Sequence, residues 1–337
     1  MLLQKTKYSR KILALSVLVA ILAVIYTAAI VFDPQRIHIR AGAYTWLDEK
    51  RLGEITALDV TSGSAVTALV KKSGGWVLLR DGAEYPVRTV RVDDLLRLLS
   101  MPGIFPVRAS EKASQEPLGL AEGTSFRIVV RTGVSDQPVL DLLIGHRDAA
   151  GRETYLRKAG QTEIRSGEID LSPYITGPQS AWLNTRLFPK TLDLGAVQSV
   201  VIQPPTPNDD GDASPEGAVK PAPVLLTRIQ GGWTVAAPPE GPAEADTTRV
   251  ENYIRAVLDA EGEDFTAPHP AGDDGSGYAA ASVTLTLDDG TVRAIKLGER
   301  LDTNRRQAVA TGLPFAASLA EWRINSLFAK TSDDFAA

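Results

Sequence analysis

The sequence contains no cysteine and only three histidines, His38, His146 and His269, among its 337 residues. The absence of cysteine excludes disulfides, thiolate zinc sites, a cysteine nucleophile and a lipid-anchored N-terminal cysteine. The three histidines lie far apart in the sequence, which is not the clustered pattern of a histidine-rich metal site. Composition therefore excludes much of the enzyme repertoire, and we predict no cofactor.

The stretch 12–32 lacks any charged residue. As a helix it would span about 32 Å, enough to cross a hydrocarbon core of roughly 30 Å. The preceding segment 1–11 is a basic tail, which favours a cytoplasmic N-terminus under the positive-inside rule; its cations are Lys5, Lys7, Arg10 and Lys11. These features predict a signal anchor that crosses the bacterial inner membrane once, a connector at 33–54 and a periplasmic bulk of the chain.

A cleaved signal peptide is the alternative interpretation of the same stretch. Thr27, Ala28 and Ala29 resemble a cleavage site, but the apolar run continues through Phe32. Hydrophobic regions of signal peptides are also shorter, about 7–15 residues. The uncleaved anchor is therefore the favoured prediction.

Basic residues are few relative to acidic ones after the tail. The chain has a net charge of −5, and residues 33–337 contain 32 basic against 41 acidic residues. An acidic surface does not attract a nucleic-acid backbone. Nucleic-acid binding is therefore excluded from the predicted functions.

The sequence contains an internal repeat. Residues 182–194, WLNTRLFPKTLDL, and 322–334, WRINSLFAKTSDD, share six of thirteen residues without a gap. Gly74-Gly75-Trp76 recurs as Gly231-Gly232-Trp233, and the other similar segments follow in the same order. We predict a tandem duplication, with repeat unit one at 55–194 and repeat unit two at 197–335.

Each repeat unit combines strand patterns with one amphipathic helix. The helix shows an apolar stripe at i, i+3, i+4 and i+7, starting at Val92 in the first unit and at Val250 in the second. Thr248 and Glu251 have the spacing of a capping box. The predicted fold class is α+β: an N-terminal transmembrane helix followed by two tandem repeats of a mostly antiparallel sheet with packed helices. The segment 204–223 is rich in Pro, Gly and Asp, which predicts a mobile loop.

The four repeated tryptophans are the most distinctive aromatic residues. Trp76, Trp182, Trp233 and Trp322 form two equivalent pairs in the repeats. A ligand groove is one interpretation, but packing is more often preserved between two copies than a ligand is, so we expect all four in the core. Trp46 lies between the anchor and the first repeat, which suggests a position near the membrane interface.

No segment carries a recognisable catalytic, cofactor-binding or metal-binding pattern. The acidic stretches 209–212 and 273–275 lack the spacing of an EF-hand and are predicted to be solvated linkers. Asp288 to Thr291 predict a hairpin turn. Gly145 and Gly298 are expected to serve turn geometry, and His146, which is Glu299 in the second copy, is expected to have no catalytic role. The predicted catalytic, cofactor and metal sites are therefore none.

These features resemble a bacterial family known as domain of unknown function forty-three forty. The resemblance rests on Gly75-Trp76, the helix Val92 to Leu99, Leu118-Gly119-Leu120, Ile144-Gly145 and Tyr155, although the family usually has Tyr at the position of Leu118. It covers roughly 55–335 and contributes no catalytic residues.

The resemblance implies an accessory component beside a gliding-motility-type ABC transporter. From it we expect a membrane-anchored interaction protein whose partners are the permease and ATPase subunits of an ABC-type transport system. Two alternatives remain open. One is an envelope hydrolase with an unrecognised carboxylate site, and the other is a solute-binding protein with its ligand between the repeats.

Overall fold

The computed structural model describes residues 17–22, 26, 43–133, 137–205, 221–268 and 281–337. The basic tail 1–11 lies outside these residues, as does most of the connector 33–54 before Ala43 and most of the predicted loop 204–223. The acidic stretches 209–212 and 273–275 also lie outside them.

The prediction of a transmembrane helix at 12–32 is wrong. Among the described residues, no helix is both long enough and apolar enough to cross a membrane. Within 12–32 the structure describes only residues 17–22 and Tyr26, and the rest of the predicted span lies outside the described residues. The membrane anchor and the single-pass inner-membrane location are therefore not supported.

The predicted fold class, a transmembrane helix followed by α+β repeats, is also corrected: the described chain is built mainly of two nine-stranded antiparallel sheets, and no helix able to span a membrane is found among the described residues. The first sheet contains nine strands: β1 (Ile55–Ser62), β2 (Ala65–Lys72), β3 (Gly75–Arg80), β4 (Ala83–Pro86), β5 (Val107–Ala109), β6 (Phe126–Thr132), β7 (Leu140–Arg147), β8 (Thr154–Lys158) and β9 (Ile164–Gly167). The second contains β10 (Val197–Gln203), β11 (Val224–Ile229), β12 (Gly232–Ala236), β13 (Ala243–Ala245), β14 (Asp264–Pro268), β15 (Ala281–Leu287), β16 (Val292–Asp302), β17 (Arg305–Ala310) and β18 (Phe315–Ala320).

Both sheets have the same strand order. The first runs β4-β3-β2-β1-β6-β7-β8-β9-β5, and the second runs β13-β12-β11-β10-β15-β16-β17-β18-β14. The first strand of each repeat, β1 or β10, lies in the interior of its sheet. It pairs antiparallel with the next strand, β2 or β11, on one side and with β6 or β15, which follows the helix in the chain, on the other. A shared order of this kind is what a tandem duplication produces, and the repeat boundaries at 55–194 and 197–335 stay a prediction.

The helices are α1 (Thr89–Ser100), α2 (Ser172–Ile175), α3 (Thr247–Leu258) and α4 (Glu321–Phe328). The predicted apolar stripes on α1 and α3 are confirmed, since every stripe residue is buried: Val92, Leu95, Leu96 and Leu99, and Val250, Tyr253, Ile254 and Val257. The predicted capping box is displaced. Asp246 is the N-cap of α3, and its carboxylate accepts hydrogen bonds from the backbone N–H groups of Thr248 and Arg249.

The described residues form two compact units. One comprises residues up to Val77 together with Thr89–Gly177, and the other comprises Leu78–Arg88 together with Pro178–Ala337. The second unit therefore includes a short segment that precedes α1 in the chain.

Within the second unit, Arg80 and Tyr85 fix the segment 78–88. Arg80 Nη1 donates to both carboxylate oxygens of Asp264, at 2.9 and 3.1 Å, and Arg80 Nη2 donates to the Phe265 carbonyl at 2.7 Å. The same guanidinium lies 4.6 Å from the centre of the Tyr85 ring. Tyr85 in turn packs against the rings of Phe265 and Phe315, with centroids 5.6 and 4.6 Å away. A forked ion pair and an aromatic cluster thus act on the same segment.

Gly145 lies within β7 rather than in the turn that we expected. An added Cβ there would lie 2.2 Å from the Leu118 carbonyl oxygen. That carbonyl accepts the backbone N–H of His146 at 2.9 Å, so the Leu118-Gly119-Leu120 segment is held directly against the strand. Glycine is required because the two backbones approach too closely for a side chain. The turn expected at Asp288 to Thr291 does connect β15 and β16, and Gly290 has a positive φ of 80°.

The tryptophans follow the prediction in three of four cases. Trp76 is the second residue of β3 and Trp233 the second residue of β12, and both are buried. Trp182 is also buried, whereas 64% of Trp322 is exposed. Trp46 is buried as well, edge-on to Tyr44 and Phe105, rather than free to lie in a membrane interface.

Replacing Trp233 with alanine is expected to reduce the free energy of unfolding by about 3–5 kcal/mol, because the change leaves a large cavity in the second sheet. Trp322→Ala is the matched control, and we expect it to cost less than about 1 kcal/mol because the ring is mostly in solvent. Urea unfolding of both variants measures the difference. Equal losses would mean that Trp322 packs against the fold.

Gly145→Ala is expected to reduce the free energy of unfolding by roughly 1–3 kcal/mol, because the new methyl group forces the Leu118 carbonyl away from β7. Gly53→Ala provides the control, since a Cβ at Gly53 meets no atom within 4 Å. The comparison uses denaturant unfolding of the full chain. A neutral Gly145→Ala variant would show that this contact is loose in solution.

Candidate functional site

Trp322 is exposed because of its position on α4. The buried face of this helix contains Ile324, Leu327 and Phe328, which follow helical spacing. Trp322 precedes Ile324 by two residues, about 200° around the helix axis, and therefore lies on the opposite face. In the first of the two predicted repeats the equivalent Trp182 ends a 3₁₀ turn, Gln179–Trp182, and is 2% exposed. Helical periodicity in WRINSLF was the sequence signal that would have revealed this difference.

A cleft of about 720 Å³ lies beside Trp322, and we call it the Trp322 cleft. Its residues come from the β16–β17 hairpin, from the residue before β14 and from the junction of β18 with α4. They are Glu263, Asp302, Thr303, Asn304, Arg305, Ala320, Glu321 and Trp322.

The base of the Trp322 cleft is held by short hydrogen bonds. The backbone N–H of Glu321 donates to the Asn304 carbonyl at 2.7 Å, which joins the start of α4 to the β16–β17 turn. Within that turn, the Asp302 carboxylate accepts from Arg305 Nε at 2.8 Å and from the Asn304 N–H at 2.9 Å. The Arg305 hydrogen bond is the main reason that the pKa of Asp302 is lowered, followed by the Asn304 N–H. The turn beneath Trp322 is therefore fixed.

The lining of the Trp322 cleft is more acidic than basic. It contains the carboxylates of Glu263, Asp302 and Glu321 and a single cation, Arg305. Arg300 Nη2 lies 3.9 Å from Glu321, so this pairing is loose. Arg323 lies over the Trp322 ring at 4.4 Å from its centre and covers one face of the indole. An exposed aromatic ring thus stands beside acidic side chains.

A polar cluster in the first unit is the nearest approach to a catalytic arrangement. Ser166 Oγ donates to the Glu153 carboxylate and accepts from Arg108 Nε at 2.7 Å. Ser166 is completely buried, so its hydroxyl cannot reach a substrate. Ser166 first, and then Arg108, lower the pKa of Glu153, which keeps the carboxylate ionised. A general acid needs the opposite shift, so this cluster is better explained as a structural network.

The remaining candidates do not assemble into a site. In the part of the chain that the structure describes, no three His, Asp or Glu side chains are grouped so that they could hold a metal ion. His146 is exposed, and its imidazole lies 2.7 Å from the position of a Cβ on Gly119. The predicted absence of cofactor and metal residues stays a prediction.

Comparisons with protein-family models, with curated proteins and with solved structures find no match for this chain. The resemblance to domain of unknown function forty-three forty therefore stays a prediction.

Glu153→Gln is expected to lower the free energy of unfolding by about 1 kcal/mol at about pH 7, because a charged acceptor for Ser166 and Arg108 is lost. The folded-state pKa of Glu153 is lowered, so its contribution to stability is present above the ordinary pKa of glutamate. It disappears as the pH falls through the lowered folded-state pKa.

The stability difference between the two proteins should accordingly shrink as the pH falls below the ordinary pKa of glutamate and vanish once it is below the lowered pKa of Glu153, measured by urea unfolding across the range. Glu168→Gln is the control, since Glu168 is an exposed residue of the same unit. A constant difference at all pH values would show that the Glu153 charge contributes nothing.

Proposed function

We propose that this protein is a non-catalytic interaction protein, and that it binds a subunit of an ABC-type transport system through the Trp322 cleft. The observation that carries the proposal is the 64% exposure of Trp322 on a helix whose other large apolar residues are buried. Exposure of so large an apolar surface to water is unfavourable, and burial of the ring against a partner would lower the free energy.

The fixed base of the cleft supports a role in binding. Tryptophan is among the residues that contribute most to protein interfaces, and rigid positioning reduces the entropy lost on association. The Glu321–Asn304 hydrogen bond and the Asp302–Arg305 pair fix the backbone on both sides of the cleft. The backbone that carries the ring is thus fixed before any partner arrives.

The charges of the cleft indicate the chemistry of the partner segment. Glu263, Asp302 and Glu321 outnumber Arg305 along the lining. A complementary segment carries Lys or Arg next to an apolar side chain, which packs on Trp322 while the cation faces the carboxylates. The transport system itself is suggested by the family resemblance, and so is an extracytoplasmic position of the folded units.

The test is co-purification of the tagged full chain with the ATPase and permease subunits encoded beside it. We expect the native protein to recover these subunits and Trp322→Ala to reduce the recovery about tenfold, as removal of a central aromatic residue does. Glu263→Lys is expected to reduce recovery in the same direction, because it reverses one charge of the lining.

Val292→Ala is the matched control, since Val292 is 52% exposed on β16 of the same unit but outside the cleft. Its recovery should equal that of the native protein. Full recovery with Trp322→Ala would remove the cleft from the interface. If the native protein recovers neither subunit, the transport proposal is overturned and the hydrolase alternative gains support.

A further inference from the structure

A second cleft, of about 430 Å³, lies within the second unit, and we call it the basic cleft. One wall is the segment 184–190, which follows Trp182, and the other is formed by Arg293 on β16 and the turn after β17. The lining residues are Pro86, Asn184, Arg186, Leu187, Phe188, Pro189, Lys190, Arg293, Thr311, Gly312 and Leu313. Its volume is within the usual range of small-molecule sites.

The lining contains cations and no carboxylate. Arg186, Lys190 and Arg293 contribute three positive charges to a cleft on a chain whose net charge is −5. Of these cations, Arg186 is paired with two carboxylates, those of Asp259 and Glu261. Glu261 is shared, because it also pairs with Arg88 at 2.8 Å. Positive charge therefore remains in excess.

Arg293 is the cation least accounted for by the fold. Its Nε is buried and has no hydrogen-bond partner, and among the described residues its guanidinium makes no ion pair. Asp289 accepts the Thr291 N–H at 2.8 Å, and this bond is the main cause of its lowered pKa, with Arg293 a more distant contributor. A buried donor without an acceptor costs free energy. In the described part of the chain the guanidinium is also without a counter-ion, and an anion in the cleft would supply one.

Gly312 leaves space beside Arg293. Its φ of 86° lies in the region that favours glycine, and a Cβ there would lie 3.4 Å from Arg293 Nη1. A side chain at this position would occupy the approach to the guanidinium. The turn thus places backbone, rather than a side chain, beside the cation.

The side-chain hydrogen bonds of Arg186 are made by its Nη2 atom. Its Nη2 donates to Asp259 Oδ1 at 2.7 Å and to the Leu258 carbonyl at 3.2 Å. Its Nε is buried without a hydrogen-bond partner, as the Nε of Arg293 is. Two buried arginine donors without acceptors thus belong to residues that line the same cleft.

We propose that the basic cleft binds a small organic oxyanion, a phosphate or carboxylate attached to an apolar body. Arginine guanidinium groups match the oxygens of such anions with forked hydrogen bonds, and Lys190 adds an exposed charge. Leu187, Phe188 and Leu313 provide apolar walls for the remainder of the ligand. This site is independent of the Trp322 cleft and does not rest on the proposed interaction with a transport system.

The test is calorimetric titration of the full chain with inorganic phosphate, glycerol phosphate and citrate, each matched in ionic strength with chloride. We expect saturable binding of at least one of them at or below about 10 mM, and a rise in melting temperature with the same anion. The comparison between inorganic phosphate and glycerol phosphate shows whether the organic part contributes. Citrate tests whether carboxylates suffice.

Arg293→Gln is expected to weaken binding about tenfold or more, because charge-assisted hydrogen bonds are lost. Arg255→Gln, an arginine of the same unit outside the cleft, should change affinity less than about twofold. If Arg293→Gln does not fold, Lys190→Gln at an exposed position takes its place, with a smaller expected loss. Absence of saturable binding to the native protein, or equal affinity of the cleft and control variants, overturns the proposal.

Discussion

Arg80 holds the segment 78–88 against β14 in the second compact unit. Its forked pair with Asp264 and its hydrogen bond to the Phe265 carbonyl fix the start of β14, and its position over Tyr85 joins it to the rings of Phe265 and Phe315. Asp264 directly follows Glu263 of the Trp322 cleft, and Phe315 begins β18, two residues after Leu313 of the basic cleft. One cation therefore helps to position the backbone next to both clefts.

Strand β18 connects the two candidate sites in the chain. Six residues, Phe315–Ala320, separate the turn of the basic cleft from the start of the helix that carries Trp322. At about 3.3 Å per residue this is roughly 20 Å of extended backbone, and all six residues are buried. Because a buried strand is rigid, a ligand at one end and a protein partner at the other are held at a constant separation along it. The same strand thus connects the proposed anion site with the proposed interaction surface.

The sequence predicted local structure well and long-range assembly poorly. The apolar stripes from Val92 and Val250 and the turn at Asp288 were recognisable because neighbouring residues determine them. The strand order was not, since the pairing of β5 with β9 and of β14 with β18 depends on contacts across the sheet. The predicted anchor at 12–32 is not supported, since no helix among the described residues is long and apolar enough to cross a membrane. The prediction that Trp322 is buried was wrong because identical residues in the two repeats were assumed to have identical surroundings. The basic cleft could not be predicted because its walls come from segments more than a hundred residues apart.

Because both sheets have the same strand order, a strand of one sheet could pair in the place of its equivalent in the other during folding. Equivalent strands such as β7 and β16 are similar enough to compete for the same neighbours while the protein folds, and exchange between tandem units is a common route to misfolding. Both strands shift register against the next strand, at Ile144/Arg147 in β7 and at Leu297/Arg300 in β16. They differ in length, at eight and eleven residues, and β16 has a second shift at Arg300/Asp302. The extra residues and the second shift give β16 a pairing pattern that β7 does not have, and we expect this difference to disfavour exchange of the two strands.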